Sequence, residues 1–67
     1  MPFVNIQILE GHSQERKDEM ARRVVAAVSE LAQLPPDAVW VVFDELPATD
    51  WYVGNARVDI LKKQAKT

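Results

Sequence analysis

The sequence predicts an α/β (α+β) fold: a single βαβ unit with parallel strands, then a short C-terminal β-hairpin, in a chain that assembles into an oligomer. Three observations predict it. Residues 3–9 alternate apolar and polar side chains, the period of a strand. Residues from Ser13 onward carry one apolar stripe at helical spacing, and Ala38–Glu45 is a second run rich in β-branched and aromatic residues. A strand, a helix of about 20 residues and a strand, in that order, form a crossover unit with parallel strands and a right-handed connection.

In the first strand Val4, Ile6 and Ile8 form a uniformly apolar face. The opposite face mixes Phe3 and Leu9 with Asn5 and Gln7, which suits contact with a second subunit. Glu10-Gly11-His12 breaks the strand. Ser13 is placed as a helix N-cap, its hydroxyl accepting from a free backbone N–H. Glu15 in the first turn suits the positive end of the helix dipole. Met20, Val24, Ala27, Val28 and Leu31 make the stripe, while Arg16, Lys17, Asp18, Arg22, Arg23 and Glu30 lie mostly off it and read as a solvated face.

Leu34-Pro35-Pro36-Asp37 ends the helix, because Pro36 drives Pro35 away from helical angles. In the second strand Val39, Val41 and Phe43 point one way, and Trp40, Val42 and Asp44 the other. Asp44 and Glu45, on opposite faces, cannot act as an acid–base pair and read as structural. Trp51-Tyr52-Val53 and Ala56-Arg57-Val58 flank Gly54-Asn55, a two-residue hairpin signal. Ile60–Thr67 reads as a lysine-rich, frayed tail.

At 67 residues the chain is one small domain. Such a domain buries only about 60% of its unfolded surface, so its own stability is marginal. It has no cysteine and one histidine, which excludes disulfides, thiolate metal sites and histidine clusters; no metal or cofactor is expected. With 48% apolar residues and no staple available, self-association is the expected source of stability. A net charge of −2, without a basic patch carrying aromatics, argues against a nucleic-acid partner. No apolar run approaches the roughly 20 residues of a membrane span, and Met-Pro-Phe-Val-Asn has no charged n-region. A cytoplasmic protein is the expectation.

Pro2 carries the chemical interest. Removal of the initiator Met1, usual before so small a residue, leaves Pro2 with a free cyclic secondary amine. That amine is a candidate general base. With Met1 retained it is a tertiary amide, neither basic nor an N–H donor. An α-amine has a reference pKa of about 7.7–8.0. An apolar pocket disfavours its cation and brings it toward the working pH, the efficient range for proton transfer. Phe3, Leu9, Trp51 and Val53 are candidates for that apolar wall, some of them from other subunits.

The chain resembles the 4-oxalocrotonate tautomerase family of the tautomerase superfamily. The resemblance rests on Pro2 before an apolar strand, Leu9-Glu10-Gly11, Ser13 opening a helix with Lys17 in its second turn, Val41-Val42-Phe43-Asp44-Glu45, and Trp51-Tyr52-Val53-Gly54. It covers nearly the whole chain and implies one tautomerase-like domain over 1–67. It implies a βαβ chain with a C-terminal hairpin that dimerises by joining sheets and assembles into a homohexamer. It also implies a terminal proline that shuttles a proton between the carbon and oxygen positions of an enol. Arginines hold the substrate's carboxylates, and a hairpin aromatic lines the pocket.

This chain departs from that pattern at both arginines. The one after the Leu-Glu-Gly turn is His12, and the one on the second strand falls at Trp40. The aromatic remains, as Trp51, and the hairpin's second glycine is Asn55. Without both arginines a dicarboxylate substrate is not expected. His12 reads as a solvated turn residue or, on the resemblance, as the polarising group that replaces an arginine. Trp40 reads as a packing or subunit-contact residue. Arg57 reads as an anion-binding cation, an exposed edge residue or one half of an intersubunit ion pair.

The expected function is that of a cofactor-independent tautomerase or isomerase of a small 2-oxo or unsaturated carboxylic acid. Pro2 is the catalytic residue, and Leu9, His12, Trp51 and Arg57 bind substrate. The alternatives are hydratase, dehalogenase or decarboxylase chemistry on the same amine, or a non-catalytic oligomer that retains Met1.

Overall fold

Strands β1 (Phe3–Leu9) and β2 (Trp40–Leu46) lie side by side and parallel, in register from Phe3 opposite Trp40 to Leu9 opposite Leu46. The computed structural model describes residues 2–65. The ladder runs one step beyond each strand: the Trp40 N–H donates to the Pro2 carbonyl at 3.0 Å and the Glu10 N–H to the Leu46 carbonyl at 2.9 Å. Gly11 then turns the chain at φ +117°, a conformation that side-chain-bearing residues rarely adopt.

Helix α1 (Gln14–Ala32) starts as the sequence predicts. Ser13 is extended, and its hydroxyl accepts from the Arg16 N–H at 3.1 Å. The helix ends at Gln33, a non-glycine residue in the left-handed region with φ 57° and ψ 50°. Its N–H donates to the Ser29 carbonyl, closing the last turn. Pro36 then opens a 3-10 turn, Pro36–Ala38. That turn consumes the first residue read as strand, so β2 begins at Trp40 rather than Ala38 and ends at Leu46 rather than Glu45.

The sheet has two unlike faces. Val4, Ile6, Ile8, Val41 and Phe43 are half-buried on one side, and Val39 is fully buried there. Lys17 clamps the helix to the sheet, its Nζ 2.6 Å from the Glu45 Oε1. Both side chains are largely withdrawn from water, so Lys17 is not part of a solvated helix face. On the other side Phe3 and Trp40, cross-strand neighbours, are 60% and 53% exposed. Val42 beside Asn5 is also exposed. The predicted helix stripe is only partly covered: Met20, Val24 and Val28 are half-buried, whereas Ala27 and Leu31 are exposed.

Val39 is the one fully buried apolar residue among those described. The Cα radius of gyration is 15.3 Å, where a compact chain of this length has about 11 Å. A single copy therefore leaves large apolar side chains such as Phe3, Leu31 and Trp40 exposed.

After a second 3-10 turn, Ala48–Asp50, strands β3 (Tyr52–Val53) and β4 (Ala56–Arg57) form the expected antiparallel hairpin. Gly54 takes a positive φ of 63° and Asn55 does not, so the turn needs a glycine at its first central position only. The frayed-tail expectation is corrected. Val58 leaves the hairpin and opens helix α2 (Val58–Ala65), packed on the 3-10 turn and on β4. Eight residues rarely hold a helix in isolation. Here the packing holds it, with Asp59 in the first turn and Lys62 and Lys63 in the last, each matching the helix dipole. The last two residues of that tail, Lys66 and Thr67, lie outside the described residues. No described helix is long and apolar enough to cross a membrane.

Candidate active site

Pro2 stands at the entrance of β1, half-buried, with its carbonyl bonded to Trp40. Met1, on whose removal the free amine depends, lies outside the described residues. Trp40 and Phe3 put two exposed aromatic rings at this end of the sheet, on the face away from the helix.

The other expected site residues depart from the opposite end. Leu9 is half-buried beside Leu46. His12 follows in the turn before α1, and its Nδ1 is shut off from water with no hydrogen-bond partner. It borders a cavity of about 280 Å³ lined otherwise by Arg16, Glu19, Met20 and Arg23. His12 as a whole is half-buried, so it is only partly solvated. Glu19 is shared by two guanidiniums: Arg22 donates from Nε at 3.1 Å and also from its terminal nitrogen, and Arg23 donates from Nε at 2.7 Å. These bonds, with Arg22 the larger influence, hold the Glu19 carboxyl down at about 2.

Trp51 is half-buried at the hairpin entrance, pinned through its backbone. Its carbonyl accepts from the Val58 N–H at 2.8 Å, which joins the hairpin to α2. Arg57 is not a free cation. Its guanidinium bonds both oxygens of Asp59, at 2.5 and 3.1 Å. Those bonds keep the Asp59 carboxyl below its ordinary range and raise Arg57 above its own. The pair lies within one chain and links β4 to the first turn of α2.

A family model described as tautomerase enzyme matches residues 2–60. The chain belongs to the tautomerase family. A probable tautomerase of Streptococcus agalactiae is 42% identical over 52 residues, which cover 78% of this chain and 87% of that one. A probable tautomerase of Streptococcus mutans is also 42% identical, over 78% of this chain and 85% of its own. Among solved structures, a heterohexamer 4-oxalocrotonate tautomerase from Chloroflexus aurantiacus superposes with a TM-score of 0.86 at 36% identity, covering 91% of this chain and 98% of that one. TomN, a 4-oxalocrotonate tautomerase homologue in the tomaymycin biosynthetic pathway, gives 0.89 at 29% identity, over 92% and 95% of the two chains. The expected family, βαβ fold and enzyme class are thus borne out: this is a tautomerase-family enzyme, an isomerase by class.

In this tautomerase one strand separates the expected base from the expected substrate grip. At about 3.3 Å per residue, the seven residues of β1 put roughly 20 Å between its ends. Pro2 and His12 of the same copy therefore do not meet. The structure gathers Arg16, Glu19, Met20 and Arg23 around His12 instead. Arg16 and Arg23, read from the sequence as part of a solvated face, are exposed here. The available signal was the spacing of 12, 16, 19/20 and 23, which returns to one side of the helix every turn.

Proposed function

We propose that this tautomerase interconverts the enol and keto forms of a small 2-oxo carboxylic acid, with Pro2 as general base and then general acid. After Met1 is removed, the Pro2 nitrogen takes a proton from the enol hydroxyl. The electron pair forms the carbonyl and the double bond shifts. The same nitrogen then returns the proton to carbon, so the cycle is balanced without metal or cofactor.

The observation that carries this reading is the placement of Pro2 within a tautomerase-family chain. Its carbonyl is bonded into the ladder through Trp40, which fixes the residue while leaving its nitrogen at the strand's open end. Exposed aromatics nearby supply an apolar surround that favours the neutral amine. Leu9, His12 and Trp51 line the substrate from other copies, since about 20 Å separates the two ends of β1. The assembly we infer is a homohexamer in the cytoplasm. The exposed Phe3–Trp40 face supports self-association, and the Chloroflexus relative is a heterohexamer.

Two measurements test this. The intact mass should match the chain from Pro2. Pro2→Ala, which leaves a primary amine, should reduce exchange of an arylpyruvate enol by at least tenfold. Unchanged exchange in that variant removes Pro2 from the mechanism.

A further inference from the structure

Two charges of α1 sit at the wrong ends of the helix. A helix dipole disfavours a cation in the first turn and an anion in the last. Arg16 lies in the first turn of α1 and Glu30 in the last, which holds no basic residue. Among the described residues neither forms an ion pair. The other cations of the helix are answered within the chain, Lys17 by Glu45 and Arg22 and Arg23 by Glu19.

The flank between these charges is apolar and uncovered. Ala27 is exposed and Leu31 is 83% exposed; with Val28 and Ala32 they line a shallow groove of about 380 Å³. Arg16, Met20, Ala27 and Leu31 recur at spacings of four, seven and four, so they run down one side of the helix, with Glu30 bordering Leu31. A second copy of α1 laid antiparallel on this side answers the apolar flank and the charges together. A two-fold axis beside Arg23 and Val24 sets Met20 opposite Ala27 of the second copy, and Arg16 opposite its Glu30 and Leu31. Two-fold contacts are self-complementary, so the same set recurs across the axis. Each Arg16 then meets an anion and the C-terminal end of the other helix, where a cation is favoured. A parallel pairing instead sets Arg16 against Arg16 and Glu30 against Glu30. Arg23, near the axis, is neutralised by Glu19 of its own chain.

We propose that this flank of α1 is a two-fold docking surface for a second copy of the chain, with the helices antiparallel and Arg16 paired with Glu30 across the axis in both directions. The proposal rests on the homohexamer inferred above and specifies one of its contacts. A closed hexamer built with two-fold axes needs two different contacts. The Phe3–Trp40 face, on the side of the sheet away from the helix, offers one of them. The α1 flank is the other. Met20, Ala27 and Leu31 supply apolar burial there, and the two charges set orientation and register.

Charge reversal tests this, read by sedimentation velocity over a range of protein concentrations. The helix dipole alone predicts that Arg16→Glu and Glu30→Arg each stabilise the chain. The docking surface predicts the opposite sign for assembly. Each single reversal should raise the concentration of half-dissociation by about tenfold, the change that replacing two exposed ion pairs with repulsion produces. The chain carrying both reversals should assemble as wild type does, because each pair re-forms with its signs exchanged. An equal mixture of the two single variants should also assemble, since one is acidic and the other basic at these two positions. Single reversals that assemble like wild type overturn the proposal, and so does a double reversal no better than the singles. Those outcomes leave an oligomeric wild type in place. A wild type that sediments as a monomer at every concentration overturns the hexamer reading and this proposal with it.

Discussion

The Lys17 ammonium donates to the Glu45 carboxylate at 2.6 Å, across 28 residues of sequence, and joins the second turn of α1 to the end of β2. With the side chains 17% and 32% exposed, solvent screens this pair less than a surface one. A double-mutant cycle with Lys17→Met and Glu45→Gln should give a coupling of about 1 kcal/mol. Chemical denaturation of the four variants measures it. A coupling near zero would make the contact incidental.

Assembly should govern stability. Among the described residues one apolar residue is fully buried and the Phe3–Trp40 face is open, so partner copies should supply the burial that a single copy lacks. The thermal midpoint should therefore rise with protein concentration. Trp40→Ala should shift the elution profile toward smaller species. A midpoint constant over a hundredfold concentration range would contradict this.

The helix C-cap offers a stabilising change. Gln33 holds a left-handed conformation that costs a side-chain-bearing residue about 1–2 kcal/mol. Gln33→Gly should raise stability by about 1 kcal/mol, after the extra freedom of glycine in the unfolded chain is subtracted. Denaturation at a fixed protein concentration reads the change.

Acid should act partly through Glu19. Its folded-state value of about 2 lies below its ordinary 4.5, so its contribution is present above about 4.5 and is lost as pH falls toward 2. Because the carboxylate is solvent-facing, the effect should be small and weakened by salt. Glu19→Gln should lie closer to wild type at pH 2.5 than at pH 7. An equal gap at both values would remove Glu19 from the acid response.

Much of this architecture is legible in local pattern. Alternation bounds β1, Ser13 marks the start of α1, and Gly54 marks the hairpin. The errors fall where tertiary contact overrides local preference. Helix α2 is too short to announce itself by propensity and depends on the 3-10 turn beneath it. Lys17 and Arg16, adjacent in sequence, look alike as charges. Only the fold sends one to Glu45 and leaves the other beside His12. Arg57 pairs with Asp59, two residues on, a contact that its own charge does not announce.

The length of β1 has a genetic consequence. If Pro2 acts at one end and Leu9 with His12 lines the substrate at the other, each copy gives its base to one site and its lining to another. Two impaired variants, one lacking the proline and one altered at His12, should then restore part of each other's activity when co-assembled. The same geometry lets a duplicated gene split the work between unlike chains, each free to lose the half that its sister retains.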